Sequence, residues 1–104
     1  MIEIRFVTQA KKFLKKCNPK LSELFKDKLS AIYDNIEAGI PLAGDLAGCY
    51  KITIDYQNQK YRVIYEILNE TTVVVVFCGL RKDAYSKIKK NRVMQGTVRK
   101  KRKS

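Results

Sequence analysis

Apolar and polar residues alternate most regularly between Cys49 and Arg81. Tyr50, Ile52, Ile54 and Tyr56 mark one stretch; Tyr61, Val63, Tyr65 and Ile67 mark the next. A period of two turns one face of a strand towards a core and leaves the other free. These stretches therefore predict two half-buried β-strands. Lys51 and Thr53 fall on the second face of the first, and Arg62, Ile64 and Glu66 on the second face of the next. Thr71 to Phe77 is nearly unbroken valine, as in a strand buried on both sides, and it runs into Cys78-Gly79-Leu80-Arg81. Gln57-Asn58-Gln59 and Leu68-Asn69-Glu70 separate the strands, and neither holds the Asn-Gly pair that would specify a turn type. The pattern predicts a three-stranded antiparallel meander that gathers Lys51, Arg62 and Arg81 on one surface, with no carboxylate required among them.

Upstream, Ile2, Ile4 and Phe6 alternate with Glu3, Arg5 and Val7, a short strand whose place in the sheet the pattern leaves open. The period then changes. Ala10, Phe13 and Leu14 take helical spacing behind Thr8, a candidate cap. Asn18-Pro19 is a second start signal, and Leu21, Leu24, Phe25, Leu29, Ile32, Tyr33 and Ile36 step by three and four along one apolar stripe. Gly39 and Pro41 are expected to end that helix. The stretch from Ile40 to Gly48 reads as a loop, and Lys82 to Lys90 as a short terminal helix. The fold class expected is α+β: an N-terminal strand, a helical hairpin packed on one face of the sheet, the meander and a short C-terminal helix.

Charge divides the chain unevenly. The 104 residues carry 22 Lys and Arg against 10 Asp and Glu, a formal net charge of +12. Nine of the basic residues lie between Lys87 and Lys103 with no acid among them, which leaves residues 1–86 at only +3. One domain over 1–90 and a basic tail over 91–104 follow from length and charge. Arg99, Lys100, Lys101 and Arg102 make the tail a candidate arm for a phosphate-rich partner. The start, MIEIRFVTQ, lacks the apolar core of a signal peptide, and no run approaches a membrane span, so a cytoplasmic protein without membrane attachment is expected. Cys17, Cys49 and Cys78 have no paired spacing and are read as reduced, mostly buried residues.

Histidine is absent, which excludes Ser-His and Cys-His nucleophile pairs and a two-histidine ribonuclease mechanism. No glycine-rich phosphate loop follows a strand, and the scattered acids suggest no metal site; no cofactor is expected. What remains is the cationic sheet surface with tyrosines about it. Arginines hold phosphates bidentately and stabilise charge developing on them. A lysine crowded by arginines has its charged form disfavoured and so moves towards the range of a base. Tyrosine stacks on nucleobases. These groups allow metal-free RNA cleavage in which a 2′-hydroxyl attacks the adjacent phosphorus.

The order Leu46-x-Gly48-x-Tyr50-Lys51-Ile52, then Tyr61-Arg62-Val63-Ile64-Tyr65-Glu66-Ile67, Val73 to Val76, Gly79-x-Arg81 and Ala84-Tyr85 resembles the RelE/ParE toxin superfamily of bacterial type II toxin–antitoxin modules. The resemblance covers roughly residues 2 to 90 and implies a fold related to microbial ribonucleases. The RelE branch cuts messenger RNA in the ribosomal A site, whereas the ParE branch poisons DNA gyrase without nuclease activity. The resemblance matches Lys51 to the family's candidate general base and Arg62 to the arginine that stabilises the phosphate. It matches Arg81 to the arginine at the leaving oxygen, and Tyr85 to the tyrosine that stacks on the substrate base. It also implies a cognate antitoxin, together with the ribosome and mRNA as partners. One position departs from RelE, which has a second lysine where this chain has Thr53. Lys60 and Lys82 are candidates to supply that charge. A gyrase inhibitor or a non-catalytic nucleic-acid-binding module are the alternatives.

Overall fold

A computed structural model describes residues 1–84. Most of the terminal helix expected over 82–90, Tyr85 and the basic tail lie outside the described residues. β1 (Glu3–Phe6) leads into α1 (Thr8–Lys16) and α2 (Pro19–Asp34), the expected helical hairpin. Asn18 caps α2 by accepting the Lys20 N–H at 2.7 Å, and Pro19 takes the first helical position, where its missing N–H leaves no bond unmade. At α1 the expectation fails in detail: Thr8 lies within the helix, Val7 holds the cap position, and no side chain caps the end.

α2 also stops at Asp34, well before Gly39. Asn35 ends it, because its side-chain oxygen accepts the Glu37 N–H at 3.0 Å and draws the backbone out of the helical path. Tyr33, placed in the apolar stripe by spacing, is 56% exposed beside this end. Gly39 is needed for a different reason. A Cβ there would stand 2.8 Å from the Lys51 carbonyl oxygen, and the Gly39 N–H donates to the Tyr65 hydroxyl at 2.9 Å.

β2 (Ile40–Pro41), β3 (Cys49–Tyr56), β4 (Gln59–Asn69) and β5 (Thr72–Leu80) complete a five-stranded sheet in the order β1-β5-β4-β3-β2. The meander β3–β4–β5 is antiparallel as expected. β1 lies parallel to β5, with Ile4 opposite Val73 and Phe6 opposite Val75. Two residues of the expected loop pair instead with β3, and Pro41 is tolerated because β2 is an edge. Tyr56 opposes Gln59, so Gln57 and Asn58 alone make the first turn. Both have positive φ, 50° and 62°, the backbone of a type I′ turn without its usual Asn-Gly pair.

The sheet is covered on both faces. Leu21, Phe25, Leu29 and Ile32 of α2 pack with Ala10 against Ile54, Val63, Tyr65, Val73, Val75 and Cys78. Tyr50 stacks on Tyr65 at 5.5 Å and Tyr61 meets Phe25 edge-on at 6.1 Å, so these tyrosines serve the core. The other face carries a second, smaller cluster of Leu46, Cys49, Ile64, Val74, Val76, Phe77 and Ala84. A bulge between Ile64 and Tyr65 gives both Val76 and Phe77 to this second face. β5 is buried from Thr72 to Gly79, as its run of valines demanded.

A candidate phosphate-binding site on the second face

The cations expected to act together lie on a diagonal across three strands. Thr53 is opposite Arg62, and Arg62 is opposite Gly79. Lys51 faces Ile64, so it is the diagonal neighbour of Arg62, at about 8 Å between backbone positions given the usual strand rise and spacing. Arg81 begins the 3₁₀ turn Arg81–Asp83 just past β5, displaced from Arg62 by a similar step in the opposite direction. Arginine and lysine side chains span such gaps. The register therefore lets Lys51 and Arg81 approach Arg62 from either side.

Their environments differ sharply. Arg81 is exposed and Lys51 is half-buried, while only 8% of Arg62 reaches the surface. Ile64, Phe77 and Ala84 belong to the second cluster on the same face of the sheet. Arg62 Nε is buried and has no hydrogen-bond partner among the described residues. A buried donor on a charged group is costly to leave unpaired, which makes Arg62 a candidate to receive an acceptor. Phe77 lies across Gly79, where a Cβ would meet its ring at 2.9 Å. Gly79 thus lets an aromatic ring fit directly opposite Arg62.

The remaining candidates are less concentrated. Lys60 bonds Asp55 across the hairpin at 2.7 Å, both groups exposed. It shares a shallow groove with Asn58, Gln59, Arg81 and Lys82. Tyr85, Arg99, Lys100, Lys101 and Arg102 lie outside the described residues. The face also carries a buried acid: Glu66, opposite Cys49 and 2% exposed, is the other diagonal neighbour of Lys51. The alternation already put Glu66 on this side, but its burial carried no sequence signal. A residue that spacing missed altogether is Gln9 in α1, whose carboxamide bonds both backbone groups of Cys78. Burial raises the Cys78 thiol pKa, so the thiol stays protonated. No three metal-ligating side chains gather among the described residues, and no described helix is long and apolar enough to cross a membrane.

The family model for ParE-like toxins of type II bacterial toxin–antitoxin systems matches residues 4–89. The chain belongs to this family of toxins. Solved structures agree on the architecture. A free E. coli RelE carrying two arginine-to-alanine changes superposes on the toxin with a TM-score of 0.72 at 23% identity, over 88% of this chain and 98% of that one. The isolated E. coli RelE toxin gives 0.62 at 29% identity, over 86% and 97%. The RelBE toxin–antitoxin complex of Mycobacterium tuberculosis gives 0.60 at 28%, over 77% and 98%. No curated protein sequence matches the toxin. It is a member of the RelE/ParE superfamily with the α+β fold of RelE.

Proposed function

We propose that this toxin is an endoribonuclease that cuts translated messenger RNA at the ribosome. Arg62 Nε, buried and without a partner among the described residues, carries this reading, because Arg62 lies on the diagonal between Lys51 and Arg81. In the proposed reaction Lys51 takes the proton of a 2′-hydroxyl, whose oxygen attacks the adjacent phosphorus. Arg62 meets the charge that develops on the phosphate oxygens. The P–O5′ bond breaks, and Arg81 stabilises or protonates the departing oxygen, leaving a 2′,3′-cyclic phosphate and a free 5′-hydroxyl. Charge placed in advance where it develops is among the largest catalytic effects available to a protein. Tyr85 would stack on the base. The toxin domain spans 1–90. Lys60 and Lys82, with Arg99, Lys100, Lys101 and Arg102 of the tail, would add salt-dependent contact to RNA in the cytoplasm. A cognate antitoxin would cover the cationic face, since RelE-type relatives are solved in complex with RelB.

Thr53 supports a second reading, gyrase inhibition without nuclease chemistry, because the face is one charge poorer than in RelE. Inducible expression of wild type and Arg81→Ala, with primer extension on a highly translated message, separates the two. New ends inside translated codons that vanish in the variant support the nuclease. Arrest with intact messages and DNA breaks overturns it in favour of gyrase.

A further inference from the structure

β1 leaves the edge of β5 early. Its last contacts are Phe6 opposite Val75 and the Val7 N–H on the Val75 carbonyl at 3.1 Å. β5 continues to Leu80, and among the described residues no strand flanks it on that side. The chain has meanwhile turned into α1, and Gln9 in its first turn lays its carboxamide against Cys78. Gln9 Nε2 donates to the Cys78 carbonyl at 2.8 Å, and Gln9 Oε1 accepts the Cys78 N–H at 3.3 Å. A primary amide carries the same donor and acceptor as a peptide group, so this side chain replaces the missing strand at one position. Cys78 is fully buried, so its backbone groups need partners within the protein, and Gln9 supplies them.

Cys78 immediately precedes Gly79, the residue opposite Arg62, and Arg81 follows three positions on. The end of β5 is thus gripped by β4 on one side and by Gln9 on the other. We infer that Gln9 is a positioning residue of the phosphate site: its clamp on Cys78 fixes Gly79–Arg81 and sets where Arg81 stands relative to Arg62. Glutamate lacks the donor and methionine lacks both groups, so neither can substitute. The inference rests on the ribonuclease reading only for the activity that Arg81 serves.

Gln9→Met, Arg81→Lys and their combination test it, with single-turnover cleavage of a message in a translation extract and amide exchange at Cys78. A displacement of about an ångström at a reacting centre slows chemistry by roughly ten- to a hundredfold, and Gln9→Met should fall in that range with little change in half-saturation. Cys78 exchange should quicken while the rest of the sheet stays protected. In the Arg81→Lys background the Gln9 change should add little, because the group it positions is already altered. A merely structural role lowers the active fraction equally in both backgrounds. Equal losses, a wild-type rate in the single variant, or unchanged Cys78 exchange would each overturn the proposal. If the wild-type protein leaves messages intact, the nuclease reading falls by itself. The clamp is then decided by Cys78 exchange and by the same non-additivity scored as growth arrest.

Discussion

Replacing Arg62 with methionine should make this toxin more stable and less active. The side chain is 8% exposed, its Nε has no hydrogen-bond partner among the described residues, and it shares a face of β4 with Ile64 of the second cluster. Methionine keeps most of the apolar stem and removes the unpaired donor with its charge. An unsatisfied buried donor costs about 1–3 kcal/mol, and well-packed apolar replacements of buried charges are often neutral or stabilising by a similar amount. The lost guanidinium contacts return part of that, so we expect a gain of about 1–2 kcal/mol. With a urea dependence of about 1.5 kcal/mol per molar, the unfolding midpoint should rise by roughly 1 M. Growth arrest on induction should disappear in the same variant. A loss of stability of 1 kcal/mol or more would refute the reasoning, since it would mean that Arg62 is bound within the fold and not held for a phosphate.

Three further outcomes follow from particular residues. Thr53→Lys puts a second cation directly opposite Arg62; it should lower stability by about 0.5–1 kcal/mol while speeding message cleavage, measured by urea unfolding and primer extension. Changing Gln57→Asn together with Asn58→Gly fits the positive φ values of that turn and should stabilise by about 1 kcal/mol with cleavage unaffected, read from the melting temperature. Above the ordinary thiol pKa the unfolded chain releases the Cys78 proton that the folded chain keeps, so stability present at neutral pH should decline between about pH 8 and 9.5. Urea midpoints across that range should fall less steeply in Cys78→Ala.

Local periodicity explains what could be foreseen. The two alternating strands and the valine run need only their own residues, so the meander and the faces of Lys51, Arg62 and Glu66 were legible. Asn18-Pro19 was legible because a cap acts on its immediate neighbours. The end of α2 was not, since Asn35 competes with the helix before Gly39 is reached. β2 is too short to show a period, and the pairing of Ile4 with Val73 joins segments far apart in the chain. The strand register that relates Lys51, Arg62 and Gly79 was legible. The depth of Arg62 was not, because burial on that face depends on segments far apart in the chain that alternation within β4 does not report. The link from Gln9 to Cys78 spans 69 residues and leaves no pattern at all.

The parallel pairing of the first strand with the last also orders events as the toxin is made. The helical hairpin and the β3–β4 hairpin join neighbours in sequence and can form as the chain lengthens. β1 has no strand partner until Thr72–Val75 have been synthesised, and Arg62 has no neighbour on its β5 side before Gly79. A growing chain therefore carries an unfinished sheet in which Arg62 and the end of β5 are not yet brought together. Any activity that depends on the candidate site must therefore wait until nearly the whole described domain exists.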